Sequence, residues 1–198
     1  DAVCGVRTSD GEIAADAVVL AAGAWSGELA QRWGLRLEVE PVKGEIVLLH
    51  GKSDDLRRIV KHADVYAVPR KDGRILIGAT MQRVGFDRRT TEEARRALLA
   101  AVRRVLPGLL TLPIERQWTG FRPGSPDGLP YIGPVEDHPG LWVATGHYRN
   151  GVLLAPITAE VLARWILGEP PEIPMAAFSP MRTPMVSSTI GYPEERLE

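Results

Sequence analysis

Apolar and polar positions alternate, run or recur along this chain in ways that define its elements. Ala2–Thr8 and Glu12–Ala15 are short runs joined by Ser9-Asp10-Gly11. Asp-Gly between two such runs predicts a β-hairpin. Asp16 to Gly23 is a continuous apolar stretch closed by glycine, which predicts a strand buried on both faces. Ser26 is placed to cap a short helix over Gly27–Trp33, and Gly34 to end it. From Pro41 the pattern changes. Glu45–Leu49, Val65–Pro69 and Arg74–Ala79 read as strands, the last two joined at Lys71-Asp72-Gly73. Thr90-Thr-Glu-Glu93 has the spacing of a capping box. Behind it Ala94, Ala97, Leu98, Ala101, Val102 and Val105 recur at helical spacing, and Pro107-Gly108 stops the helix. Ile114–Phe121 reads as a further strand. The middle of the chain is thus predicted as an antiparallel sheet with one covering helix. Residues 123–140, rich in Pro and Gly, read as loop. Leu141–Ala144 returns to a buried strand, and a helix runs on to Leu167, with Pro156 forcing a break or a late start. On its polar face Glu160 and Arg164 stand four apart. Residues 176–198 lose all periodicity and read as an extended or disordered tail.

Composition narrows the class. The 198 residues suit one domain or two small interleaved ones, and 44% hydrophobic with 25% charged residues is ordinary for a chain with a real core. A formal net charge of −1 gives no electrostatic case for nucleic acid or an anionic membrane. No apolar run approaches the roughly 20 residues of a spanning helix, and no signal-peptide pattern is present. The single cysteine, Cys4, reads as a small strand residue and excludes an internal disulfide or a cysteine metal cluster. These features fit a soluble cytoplasmic protein. The chain begins at Asp1 and enters strand-like sequence at once, which reads as a fragment cut within a domain.

Candidate chemistry concentrates where the strand Leu141–Ala144 hands over to a helix. Gly146, His147, Arg149, Asn150 and Gly151 fall in that turn. A helix start exposes unpaired N–H groups and partial positive charge, and glycines let a ligand approach the backbone. Such a turn suits an electron-rich ring edge that gains negative charge during reaction, of which a flavin pyrimidine carbonyl is one case. The bland reading is a glycine turn with solvated Arg and His. Arg122, at a strand end before a rigid Pro-Gly, is either a bidentate carboxylate grip or a surface arginine. Tyr66 shares a strand face with Val68 and reads by itself as a core or rim residue. Met81 reads as packing, and His62 as surface. HExxH, CxxC, Walker and GxSxG motifs are missing from the sequence, and so is GxGxxG, since Gly23 and Gly27 have the wrong spacing.

Five of these segments together carry a family likeness. Ala17–Gly27 (AVVLAAGAWSG) resembles the strand-turn-helix of D-amino-acid-oxidase-type flavoproteins, and Pro41-Val-Lys-Gly44 their passage from the FAD domain into the substrate domain. Gly78-Ala-Thr-Met81, Gly120-Phe-Arg-Pro123 and Gly146-His-Tyr-Arg-Asn-Gly151 are similar to the glycine oxidase (ThiO) branch, which serves thiamine biosynthesis. The likeness extends to about residue 178, and the chain resembles the C-terminal part of such an enzyme. It implies an α/β (α+β) fold: the remainder of an FAD-binding domain in residues 1–40 and 123–175, and an antiparallel-sheet substrate domain with a covering helix in 41–122.

The resemblance also implies roles. Arg122 matches the main substrate-carboxylate anchor and Arg149 a second substrate-contacting arginine. Tyr66 matches a tyrosine near that carboxylate, and Met81 a methionine lining a small pocket. Gly23 and the turn Gly146, His147, Tyr148, Arg149, Asn150, Gly151, Val152 and Leu153 match cofactor-contacting positions. The implied reaction is oxidation of a small amino acid, foremost glycine. The α-hydrogen passes as hydride to flavin N5, the imine hydrolyses to glyoxylate and ammonia, and oxygen is reduced to hydrogen peroxide. No side-chain base is required if the amine arrives neutral. Rival readings are a sarcosine or N-methyl amino acid oxidase, a D-amino acid dehydrogenase that reduces a quinone, and a truncated flavin-free domain without activity of its own. The expected partners are a small amino acid and oxygen, with no nucleic acid, no membrane and homo-oligomer formation left open. No metal site is expected. The family's N-terminal strand, Gly-rich turn and helix, which hold the ADP part of FAD, have no counterpart in this sequence. FAD binding by this chain alone is therefore expected to be weak or absent.

Overall fold

The computed structural model describes residues 2–184. In chain order its strands and α-helices are β1 (Gly5–Thr8), β2 (Gly11–Ala14), β3 (Val18–Leu20), α1 (Ser26–Gln31), β4 (Glu40–Leu49), β5 (Val60–His62), β6 (Val65–Pro69), β7 (Ile75–Gly78), α2 (Glu92–Arg103), β8 (Ile114–Gly124), β9 (Tyr131–Pro134), β10 (Leu141–Thr145) and α3 (Gly151–Ile166). The architecture is mixed α/β. The chain divides into two compact units, one formed by residues up to Pro41 and from Arg122 onward, the other by Val42–Phe121. Among the described residues no helix is long and apolar enough to cross a membrane.

In the first unit β1 and β2 pair as the predicted hairpin, Thr8 opposite Gly11. Beside it stands a three-stranded sheet in the order β3-β10-β9. β3 and β10 are parallel, with Leu141 opposite Val18 and Val143 opposite Leu20. β9 is antiparallel to β10, Tyr131 opposite Thr145. Alternation along β10 sends Leu141 and Val143 into a core with Leu20, Ala30, Leu35, Leu37, Tyr131 and Val135. Trp142 points the other way and meets Trp165 of α3 edge-to-face at 5.7 Å. α3 lies toward the β9 side, so Val19 of β3 stays exposed. The run Asp16–Gly23 is therefore buried on one face only among the described residues, not on both.

The second unit is a five-stranded sheet in the order β5-β6-β7-β4-β8. The pairs β5–β6, β6–β7 and β7–β4 are antiparallel. Inward positions Val47, Leu49, Ala67, Ile75 and Ile77 pack beneath Leu98 and Val102 of α2, with Leu109 closing the cluster. These are the helical positions that the spacing predicts. The tight turn at Lys71-Asp72-Gly73 forms through Gly73, whose φ of +86° favours glycine.

Local expectations differ from the structure at several points. The N-cap of α2 is Thr91, not Thr90, and its hydroxyl accepts the Ala94 N–H at 3.1 Å. The carboxylate that receives the cap residue's own N–H is Glu45, at 2.9 Å, from a strand distant in sequence. It replaces the Glu of a local capping box. Ser26 is not a cap either, since the helix begins at it and Trp25 is the N-cap. β9 emerges from the stretch read as loop, and β5 from a stretch for which the sequence predicts no element. β9 is an edge strand bounded by Pro130 and ending at Pro134, which suits proline's missing donor. Pro156 lies inside α3 without breaking it. The bond it forgoes belongs to the carbonyl of Val152, a residue turned to solvent. Arg164 pairs with Glu169 at 3.0 Å, not with Glu160. Residues 176–178 form a 3-10 turn, and Arg182 is fastened to Asp127. This part of the predicted tail is docked, and 185–198 lie outside the described residues.

Candidate functional site

The parallel pair β3 and β10 ends where the first unit gathers its candidate residues. Past β3 the chain turns at Gly23, φ +56°. Past β10 it turns at Gly146, φ +78°, buried where a Cβ would lie 3.3 Å from Tyr131 Cδ2. The two ends are tied together. Thr145 Oγ1 donates to the Gly23 carbonyl at 3.0 Å and accepts from Ser26 Oγ at 2.9 Å, with both side chains buried. In open parallel sheets the crevice outside the strand carboxyl ends is the common place for a ligand. Thr145 was not singled out from sequence, and Ser26 only as a helix cap. A hydroxyl's value here depends on a partner more than a hundred residues away, which no local pattern announces.

Beyond Gly146 the backbone makes a short 3-10 turn, Tyr148–Asn150, and then enters α3 at Gly151. Tyr148 holds φ +49°, uncommon outside glycine. Asn150 is the N-cap but its side chain makes no capping bond. No side chain therefore caps the start of this 16-residue helix, where the helix dipole places partial positive charge. His147 is turned back into the fold, Nε2 3.0 Å from Thr158 Oγ1 on α3. Burial pushes its pKa down, so the ring is neutral at pH 7 and adds no charge to the helix start. Arg149 and Asn150 are exposed. Val152 and Leu153 are 96% and 78% exposed, an unusual setting for branched apolar side chains at a helix start.

In the second unit Tyr66 lies opposite Gly78 across β6–β7. A Cβ at Gly78 would stand 2.8 Å from the Tyr66 hydroxyl, so glycine leaves the ring its place. By alternation Tyr66, Ile46 and Leu76 face away from α2. Met81, half-buried, follows three residues after Gly78. Its neighbours are pinned to β4: the Glu45 N–H donates to Thr80 Oγ1 at 2.9 Å, and Lys43 and Gln82 exchange backbone bonds at 2.8 and 2.9 Å. Arg122 is half-buried near the end of β8. The geometry thus joins Gly23 to the 145–153 turn in one unit, and Tyr66 and Met81 to the strands around Gly78 in the other. His62 is exposed, as expected.

Lys43 and Glu45 were missed. Both are buried, with side chains 2% and 0% exposed, and their heads are 3.2 Å apart. The signal was present in the sequence: they hold the same parity as Val47 and Leu49 on one strand, so charges stand at core positions.

The family profile of FAD dependent oxidoreductases, DAO, matches residues 1–165. The chain belongs to this family, whose members are FAD-dependent flavoproteins. It is 50% identical over 180 residues to a glycine oxidase of Pseudomonas aeruginosa, covering 91% of this chain and 50% of that protein. It is 40% identical over 192 residues to the bifunctional protein ThiO/ThiG of a Nostoc species, covering 95% of this chain and 28% of that one. The crystal structure of glycine oxidase from Geobacillus kaustophilus superimposes with a TM-score of 0.84 at 39% identity, covering 89% of this chain and 48% of that one. The chain spans about half the length of the glycine oxidases it matches. The 145–153 turn fits the ring end of FAD. A Cβ at Gly146 would crowd Tyr131, no side chain caps the helix start, and two apolar side chains stand open beside it. No glycine-rich turn in this sequence fits the pyrophosphate.

Proposed function

We propose that this chain forms the ring-facing and substrate-facing part of a flavin-dependent oxidase of a small amino acid. In this reading glycine is the substrate, oxygen the electron acceptor, and glyoxylate, ammonia and hydrogen peroxide the products, in the cytoplasm and in the service of thiamine biosynthesis. Residues 1–40 and 123–175 belong to the FAD domain and 41–122 form the substrate domain. The observation that carries the reading is the uncapped start of α3 beside the carboxyl ends of β3 and β10. The likeness to proteins named glycine oxidase supports the choice of substrate.

When bound, FAD supplies the two-electron acceptor for the substrate's α C–H bond. The chain's own residues do the rest. The first turn of α3 would hold the ring end of FAD, its N–H groups and helix dipole favouring negative charge there. Gly23 and Gly146 keep the backbone close, and Val152 and Leu153 exclude water from that edge. Arg122 takes the substrate carboxylate through two parallel N–H donors, with Arg149 second. Tyr66 stands near the same carboxylate, and Met81 lines a pocket too small for a large side chain. A neutral amine needs no side-chain base.

Purified full-length protein containing this chain tests the reading. The expected result is flavin absorbance near about 450 nm and peroxide formation that depends on glycine. Faster turnover of sarcosine or a D-amino acid moves the substrate. Quinone reduction without peroxide moves the acceptor. A protein without flavin, inert to every amine, refutes the oxidase.

A further inference from the structure

The carboxylate of Glu45 is surrounded by donors alone. Oε1 receives the Lys43 ammonium at 3.2 Å and the Thr91 hydroxyl at 3.1 Å. Oε2 receives the Thr91 N–H at 2.9 Å and the Gln117 amide at 2.8 Å. Four donors match the roughly four lone-pair sites of a carboxylate. Gln117 also donates to the Thr91 carbonyl at 2.9 Å. The buried group thus ties three pieces of the second unit together: the start of α2, strand β8 and its own strand β4.

One of those pieces, β8, carries a residue assigned above to the substrate, and another, β4, is bonded to a segment that carries a second. Gln117 lies five positions before Arg122 on β8. Segment 80–82 bears Met81, and both its ends bond to the backbones of Glu45 and Lys43. A helix cap alone would need only Thr91 and one acceptor. A buried lysine and a link to β8 add nothing to a cap, but they fix the spacing between strands whose ends hold the substrate.

We propose that Glu45 is a positioning residue for amino-acid binding, acting through Gln117 on the strand of Arg122 and through β4 on the segment of Met81. The inference rests on the oxidase reading. It makes a sharp demand on chemistry. Glutamine at position 45 has the same shape, but its NH2 would face donors on whichever side it is placed, and Lys43 would lose its counter-charge while still buried.

The test uses the full-length holoenzyme with Glu45→Gln, Gln117→Met and the double variant Lys43→Met/Glu45→Gln, assayed well below their melting temperatures. Both Glu45→Gln and Gln117→Met are expected to raise KM for glycine about ten-fold while kcat changes less than three-fold and flavin content stays at the wild-type level. The double variant removes the stranded ammonium, so it should recover melting temperature but not KM. Gln117→Met leaves the ion pair in place and keeps the test open if Glu45→Gln does not fold. A KM within two-fold of wild type in Gln117→Met, or in a folded Glu45→Gln that merely melts earlier, overturns the inference. An inert wild-type enzyme overturns the oxidase reading instead.

Discussion

Arg182→Ala is expected to be among the most damaging single changes in the first unit. Arg182 donates to Asp127 through Nε at 3.1 Å and Nη2 at 2.8 Å, and Nη2 also donates to the Leu129 carbonyl at 2.8 Å. Its guanidinium carbon lies 3.8 Å from the centre of the Tyr131 ring. The two side chains are 8% and 7% exposed. Alanine would leave a buried carboxylate that keeps the Leu129 N–H, at 3.1 Å, but loses both guanidinium donors. Removing one partner of a buried ion pair costs about 3–5 kcal/mol. In a chain of this size each kcal/mol moves the melting temperature by about 2–4 °C, so the loss is on the order of 10 °C. Thermal and urea melts followed by tryptophan fluorescence measure it. The double variant Asp127→Ala/Arg182→Ala buries no lone charge and should sit closer to wild type than Arg182→Ala does. Acid adds a second check. Burial pushes the Asp127 carboxyl up, but the bonds from Arg182 and the Leu129 N–H outweigh it and leave it below the ordinary range. Its stabilising effect is complete above the unfolded value of about 3.9 and is lost as pH falls through the folded one. The gap between wild type and Arg182→Ala should therefore narrow in strong acid. A loss under about 1 kcal/mol, or a double variant worse than the single, would refute the account of a desolvated pair.

Three other changes probe the proposed site. Arg122→Ala should lower kcat/KM for glycine on the order of hundred-fold, far more than Arg149→Ala, with partial rescue by lysine; equal loss with a carboxylate-free amine would make Arg122 structural. Gly146→Ala forces a side chain to φ +78° and against Tyr131, at about 1–2 kcal/mol for the backbone alone, so melting temperature and flavin content should both fall; wild-type values for both would remove Gly146 from the ring site. His147 has its pKa lowered by burial, so its contribution is present above about 6.5, the unfolded value, and is lost as pH falls through the folded one. Melts between pH 7.5 and 5 should fall more steeply for wild type than for His147→Asn, and parallel curves would show that His147 does not titrate with folding.

Local signals in this sequence read well where an element carries its own reasons. The periodicity of Ala94, Leu98 and Val102 located α2, and Lys71-Asp72-Gly73 located its turn, because each depends on neighbours within a few residues. The 145–151 turn was also legible, since its glycines and polar residues interrupt two apolar stretches. Long-range partners were not. Glu45 caps a helix 46 positions away, Ser26 bonds to Thr145, and Arg182 reaches Asp127 across 55 residues. Each looks locally like a residue with another duty. The single-faced burial of β3 escaped for a related reason: an apolar run states that cover is wanted, not which element of the chain provides it.

The remote cap of α2 has a consequence for how this sequence can change over time. A capping box holds its acid three residues from the cap, so an insertion between them destroys it. Here the acid sits on β4, and the interval before α2 includes the exposed tip Ser53-Asp54. Lengthening that tip leaves the pairing of Glu45 with Thr91 intact, and doubling a loop's length costs only about 0.6 kcal/mol in closure entropy. Descendants of this chain can therefore vary in length between strand and helix without reinventing the joint, and a peptide tag or reporter inserted there meets the same tolerance.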